Sequence, residues 1–465
     1  MKKNSRREFI TKSSAAVAGV TVGLNAFSSN QTSRIFGAND KIRVAFIGIG
    51  NRGSQLLERF MKNDDVEVAA LCDVYKPYTE RDRSKVSKRF LEMDRIPQMG
   101  EKFPNKVLQF SDYRKLLEQK DIDAICIATP DHWHALQCIH ATEAGFNVYV
   151  EKPLTNTIKE GRAMINAQKK AGNVVQVGLN RRGSYIFQKL ANDIQNQKIG
   201  KVLSASAFRI SNMYPKGIGK LQPEQPPQDF NWDMWLGPRA VRPFQYNIAP
   251  YYFRWWSDYS SQMGNWGVHY MDAIRWMIGV EAPNAVTAQG GKYVLTDDRD
   301  IPDTMDVIFE FNSGLMIKFS IYEGTSGTGV PGGELELRGT KGTLITDEKQ
   351  YQIVPARAGQ FQNWKSTVAA EKYDLASDTE LDRKGIDRDS TSRLIRNFLD
   401  CVKSGETPWC PLEEGHRSTS FAHLANIALK TGKRLEWDAK NEEFTNCDEA
   451  NQLLHYEYRK PWKLS

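Results

Sequence analysis

The chain has too few cysteines, too widely scattered, to build a disulfide framework. Its six (Cys72, Cys126, Cys138, Cys401, Cys410 and Cys447) show no C-x-x-C spacing, which argues against both a stapled scaffold and a structural zinc site. Cys72 and Cys126 fall on predicted buried strands and Cys138 on a predicted helix, so buried free thiols are expected. No apolar run reaches membrane-spanning length. The N-terminal stretch Ala15 to Leu24 is too short and too weakly apolar, so no integral span is expected in the mature chain. Internal repeats and low-complexity tracts are absent. So are a basic stripe and a recognised nucleic-acid motif. The 63 Lys and Arg against 56 Asp and Glu leave a net charge of +7, part of it in the first twelve residues. Nucleic acid is therefore not an expected partner.

The N-terminus carries targeting features instead. Lys2, Lys3, Arg6 and Arg7 precede the apolar stretch, and Ser5-Arg6-Arg7-Glu8-Phe9-Ile10 resembles a twin-arginine export signal. Residues 1–30 are read as an export signal and 31–40 as a polar linker. This predicts a periplasmic or exported protein. Because that route carries folded proteins, a dinucleotide could be loaded before export.

The most informative stretch runs from Ile42 to Gly53, I-R-V-A-F-I-G-I-G-N-R-G. An apolar strand enters G-x-G-x-x-G and a helix-compatible segment follows. Gly48 permits the tight turn, Gly50 a close approach to a pyrophosphate, and Gly53 close packing of helix on strand. The loop Gly48-Ile49-Gly50-Asn51-Arg52-Gly53 would offer free N–H groups to phosphates. A second apolar run, Val66 to Cys72, ends in Asp73, where a carboxylate would accept from a ribose 2′-hydroxyl. The same charge would repel a 2′-phosphate, so NAD is expected and NADP is disfavoured.

Further apolar runs at 122–128, 146–150 and 174–177 alternate with helical segments at 132–144 and 157–171. This alternation predicts a doubly wound, mostly parallel sheet over residues 41–177. From residue 178 to 465 the pattern changes. Alternating runs at 201–210, 285–295, 304–311, 315–322 and 334–338, with a hairpin turn at Asn312-Ser-Gly314, predict an α+β domain with a large mixed or antiparallel sheet. Helices are expected at 391–404 and 413–431. The aromatic, proline-rich segment 214–256 is either packing filler or a binding wall for sugar faces.

Three clusters could carry chemistry. Ala128-Thr-Pro-Asp-His-Trp-His134 follows a predicted strand, at the edge where such sheets bind ligands. Thr129, Pro130, His132 and His134 are read as a cofactor-facing loop, and no metal site is expected. Glu151-Lys152-Pro153 also ends a strand. Lys152 is either a surface lysine before a proline turn or a cleft lysine whose pKa burial would lower. In Gly264-Asn-Trp-Gly-Val-His269-Tyr-Met-Asp272, residues Asn265, His269, Asp272 and Trp276 recur at helical spacing. His269 is either a general base or a partly buried structural histidine.

Together these pieces resemble the Gfo/Idh/MocA family of NAD(P)-dependent sugar oxidoreductases, over roughly residues 41–465. Asn231 to Pro238 and the tail at 449–462 look like its exported branch. The resemblance implies a Rossmann domain followed by a domain whose open sheet mediates a homodimer or homotetramer. It implies that Glu151 and Lys152 face the cofactor and that Lys152 and His269 line the catalytic site. Many members carry Asp four residues before the His. Here that place is Asn265, so either His269 acts alone, Lys152 takes the larger role, or an acid such as Asp258 substitutes. Arg181, Arg182, Tyr252, Arg254, Trp255, Asp258 and Asp272 are candidate substrate contacts. The expected reaction is oxidation of a secondary hydroxyl on a sugar, glycoside or cyclitol. The alternatives are an NAD-dependent glycosidase working by transient oxidation and elimination, and a sensor that only holds the dinucleotide.

Overall fold

The protein is described by a computed structural model covering residues 40–464 except Asp94 and Gln362. The export signal and all but the last residue of the linker lie outside the described residues. No helix among those described is long and apolar enough to cross a membrane.

The chain opens with β1 (Ile42–Ile47), helix α1 (Asn51–Met61) and β2 (Val66–Cys72). The parallel sheet is completed by β3 (Leu108–Phe110), β4 (Ala124–Ile127), β5 (Asn147–Val150) and β6 (Val175–Val177). Its order is β3-β2-β1-β4-β5-β6 with every pair parallel. This order reverses direction at β1, and the cleft beside that point is where such sheets take a dinucleotide. Every residue of β4 is buried, as expected of a strand covered by helices on both faces. Helix α2 (Asp131–Glu143) follows β4, and α3 (Ile158–Ala171) follows β5. Helix α3 starts on a capping box in which Thr157 and Glu160 satisfy each other's backbone N–H groups.

The second half contains α4 (Tyr185–Gln195), β7 (Val202–Ile210), a π-turn at Met263–Gly267 and α5 (Val268–Ile278). Nine more strands follow: β8 (Ala285–Gly291), β9 (Thr304–Glu310), β10 (Met316–Tyr322), β11 (Leu335–Gly339), β12 (Gly342–Thr346), β13 (Gln350–Pro355), β14 (Glu371–Asp374), β15 (Leu435–Asp438) and β16 (Glu443–Phe444). Two long helices, α6 (Ser390–Ser404) and α7 (Leu412–Thr431), precede β15. The ten-stranded sheet has the order β14-β13-β12-β11-β7-β10-β9-β8-β15-β16. Only the β7–β10 pair is parallel. One face packs Ala205, Ala207, Ile317 and Phe319 against α4, α5 and α7.

Packing does not follow the sequence boundary at 177. Phe398 of α6 meets Phe60 and Tyr149 of the parallel-sheet layer, 6.4 and 5.8 Å between ring centroids. The C-terminal segment also returns to the first half: Trp462 lies 4.8 Å edge-on to Trp133 of α2, and the Tyr458 hydroxyl donates to Glu160 at 2.5 Å. Arg459 binds the Asp233 carboxylate and the Gly237 carbonyl. A strap of residues 456–462 thus fastens the 232–238 segment onto α2.

Candidate functional site

The parallel strands end at one cleft lined by the glycine loop, Asp73 and Lys152. At its floor, Gly48 adopts a left-handed φ of +80°, and a Cβ on Gly53 would lie 2.0 Å from the Gly48 carbonyl oxygen. Only glycine allows α1 to start so close to β1. Asp73 stands at the end of β2, where one carboxylate oxygen accepts from the Ile49 N–H at 2.9 Å and the other from the Tyr75 N–H at 3.0 Å. Burial raises its pKa to about 6 against the pull of these donors. Gly50 stays open enough that a Cβ would make only ordinary contact with Tyr78. This carboxylate and this glycine cradle fit a dinucleotide.

Arg52 and Glu151 bridge the floor at 2.8 Å, joining the first turn of α1 to the end of β5. Lys152 follows directly. Its Nζ donates to the Asn265 carbonyl oxygen at 2.7 Å and to Asn265 Oδ1 at 3.3 Å. The π-turn that carries Asn265 brings both of its oxygens to one amine. Such turns concentrate at functional sites. Burial lowers the Lys152 pKa to about 8, with Glu151 and Asp131 opposing the shift and Arg254 and Arg52 reinforcing it.

His269 sits one turn beyond Asn265, half-buried, with Nδ1 lacking a protein partner among the described residues. Burial first, then the charges of Lys152, Arg181, Arg52 and Arg209, hold its pKa well below the usual histidine value. Asn265 is committed to Lys152, so no Asp–His pair operates here. Asp258 does not replace it, because its carboxylate pairs with Arg239.

The remaining candidates divide. Thr129, Pro130, Asp131, Arg254 and Asn265 line the cleft with Lys152. Thr129 is fixed by a 2.7 Å bond to Gln137, and the Arg254 guanidinium donates to the Tyr251 carbonyl at 2.8 Å. His132 and His134 face inward. The His132 ring bonds the Trp235 carbonyl at 2.9 Å, and burial lowers its pKa to about 3. His134 lies between the carbonyls of Pro153 and Thr129, each at 2.8 Å, tying the two loops together. Asp272 is fully buried. It takes a bidentate ion pair from Arg182 at 2.8–3.1 Å and a 2.7 Å bond from Ser418. Arg181 pairs with Glu334 at 2.5 Å. Trp255 donates inward to Glu323 at 3.0 Å, and Tyr252 rests against Tyr251 and Trp255. Asp272, Trp255, Asp258 and His132 are thus occupied with protein partners away from the cleft wall.

From sequence, Asp131 is notable only as a possible metal ligand beside His132 and His134, and Arg209 is not singled out. Asp131 lines the cleft, accepts from the Ser260 hydroxyl and has its pKa raised by burial. Arg209 lies on β7, on the same face as Ala205 and Ala207. Strand alternation was the only signal for it. No group of three or more His, Cys, Asp or Glu side chains suited to a metal is found among the described residues.

Two family models match the chain. "Oxidoreductase family, NAD-binding Rossmann fold" covers residues 42–179, and "Oxidoreductase family, C-terminal alpha/beta domain" covers 244–436. Both are models of the Gfo/Idh/MocA oxidoreductases. A glycosyl hydrolase family 109 protein of Shewanella baltica is 32% identical over 170 residues, 33% of this chain and 35% of its own. The similarity therefore spans about a third of the length of that relative. Among solved structures, the WlbA dehydrogenase of Chromobacterium violaceum, in complex with NADH and UDP-GlcNAcA, superposes with a TM-score of 0.61 at 19% identity, over 86% of this chain and 97% of that one. A levoglucosan dehydrogenase in complex with NADH gives 0.60 at 17% identity, over 85% and 99%. At such identities the likeness establishes the fold.

Proposed function

Because the chain belongs to the Gfo/Idh/MocA oxidoreductase family, we propose that it is an NAD-dependent oxidoreductase acting on a secondary hydroxyl of a sugar, glycoside or cyclitol. The observation that carries this reading is the placement of Lys152, held by both oxygens of Asn265 at the inner end of the dinucleotide cleft and close enough to His269 to depress its pKa. A bound nicotinamide dinucleotide supplies the acceptor for the carbinol hydrogen and its electron pair. His269, uncharged near neutral pH, accepts the hydroxyl proton. Lys152 donates a hydrogen bond to the same oxygen and stabilises the alkoxide as it develops. Arg254 and Tyr251 supply the wall against which the sugar packs. The sugar dehydrogenases among the structural neighbours support a carbohydrate substrate.

The test is direct. Dinucleotide released by heat from the purified protein is identified by mass, and sugars and glycosides are screened for NADH formation. Absence of both bound NAD and sugar-dependent NADH would remove the proposal. Asp73 favours NAD, since its carboxylate would meet a 2′-phosphate with like charge. Replacing Asp73 with Ala removes a charged acceptor worth about 1.5–3 kcal/mol. NAD affinity is expected to fall roughly 10- to 100-fold while NADP is affected less, as read by titrating each dinucleotide into the stripped protein.

The depressed Lys152 pKa sets the pH profile. As a donor the amine must be protonated, so kcat/KM for sugar oxidation should fall as pH rises through about 8. In Lys152→Arg the falling limb should move above roughly pH 10, because guanidinium keeps its proton. A limb that stays in place in that variant would assign it to another group.

A second reading is redox-assisted glycoside cleavage. It draws on the glycosyl hydrolase relatives and on Asp131, a buried acid in the cleft with a raised pKa that could protonate a leaving oxygen. Aglycone release from nitrophenyl glycosides without net NADH would favour it over simple oxidation. Export and self-association belong to the same proposal. Ile308 and Met316, exposed on the uncovered face of the ten-stranded sheet, support packing against a second copy.

A further inference from the structure

The charges around His269 do not balance. Of the cations that act on it, Arg52 is paired with Glu151 and Arg181 with Glu334. Lys152 rests on the two uncharged oxygens of Asn265, with the Glu151 and Asp131 carboxylates acting on it from nearby. Among the described residues no carboxylate is in ion-pair contact with Arg209, and Glu323 and Glu334 act on it only from a distance. Its guanidinium stacks 3.5 Å above the Trp266 ring, itself 6.3 Å from the His269 ring. Its Nε is buried with no hydrogen-bond acceptor among the described residues, and so is the Nε of Arg181. The nearest acids are already taken. Glu323 is held by Arg299 at 2.5 Å and by the Trp255 indole, and Glu334 by Arg181.

A half-buried guanidinium near His269, with a buried unpaired Nε and no carboxylate in direct contact, is costly unless something arrives to neutralise it. Stacking on Trp266 contributes a little but leaves the buried Nε–H unmet. Guanidinium donors in this state match a carboxylate or phosphate, which two parallel bonds can satisfy. A neutral hydroxyl would leave the charge uncompensated.

Resting on the sugar-oxidation reading above, we propose that the preferred substrate carries an anionic substituent, a carboxylate or a phosphate, bound by Arg209 with Arg181 alongside. Such a group would also offset the positive field on His269 and make that ring a better proton acceptor. Arg209 then works as a specificity residue for the same site.

The experiment uses the dinucleotide-loaded protein. D-glucuronate, D-galacturonate and glucose 6-phosphate are compared with glucose, galactose and the neutral isostere glucuronamide, by calorimetric binding and by NADH formation. At least one anionic sugar should bind about tenfold or more tightly than its neutral parent. That advantage should fall to within about threefold in Arg209→Met and be partly kept in Arg209→Lys, as expected for a charge-assisted contact. A uronate advantage identifies the carboxylate arm, and a glucose 6-phosphate advantage the phosphate arm. Neutral sugars that bind as well as every anionic one, or an advantage untouched in Arg209→Met, would overturn the inference. Neutral sugars oxidised without anionic preference sink the inference and leave the oxidoreductase reading standing. Anionic sugars that bind through Arg209 without hydride transfer do the reverse.

Discussion

Replacing Lys152 with Ala is expected to lower kcat by about 10³-fold, within the range for loss of a positioned proton donor, while the dinucleotide stays bound. The two effects separate because Lys152 makes no bond to the glycine loop. Its amine is spent on Asn265, and the cradle depends on Gly48, Gly53 and Asp73. Removing the amine takes away the donor to the developing alkoxide and one of the cations that depress His269. The second effect makes His269 somewhat more basic, but it cannot replace a hydrogen bond at the reacting oxygen. The check is kcat on the best sugar alongside heat-released dinucleotide per chain. A kcat within tenfold of the parent, with full occupancy, would take Lys152 out of the chemical step. Loss of the dinucleotide itself would make it a cofactor-binding residue instead.

The second large effect is on stability. Asp272→Ala should destabilise the fold by about 3–5 kcal/mol, the cost of leaving one member of a buried ion pair uncompensated. Arg182 would keep Glu414, 3.0 Å away, and the Trp409 carbonyl at 3.3 Å, so the lower end of that range is expected. Asp272 and Arg182 join α5 to the turn before α4. The Ser418 bond adds α7 to the same knot. Its loosening displaces the helix that carries His269. Urea unfolding should therefore show an earlier midpoint, with kcat falling as well. A substrate-binding Asp272 would instead raise KM and leave the unfolding midpoint alone.

The parallel sheet was readable because its strands are buried on both faces. The runs 42–47 and 66–72 match β1 and β2 residue for residue, whereas 122–128 overran β4 by Ile122 and Asp123 at one end and Ala128 at the other. The later strands β12 to β16 escaped notice. They are two to six residues long, too short for a period to stand out, so they read as loop. In the site, Asp73 and Lys152 were visible because strand ends locate them. The inward turn of His132 and Trp255 was not, because it depends on the distant carbonyl of Trp235 and the carboxylate of Glu323. The aromatic segment 214–256 divides between the cleft and the interior. Tyr251 and Trp235 reach the cleft, while the Trp256 indole donates to the Asn247 carbonyl in the interior.

The strap at 456–462 also sets an order of assembly. Trp133 is synthesised more than three hundred residues before Trp462, the ring that closes over it. Contacts so far apart in sequence form late and slowly. The first half can therefore fold on the ribosome while the outer side of α2 and the 232–238 segment stay open. The wall of the dinucleotide cleft is fastened only when residues 456–462 emerge. A nascent chain stalled before residue 456 should expose Trp133 to solvent, even with the parallel sheet already formed.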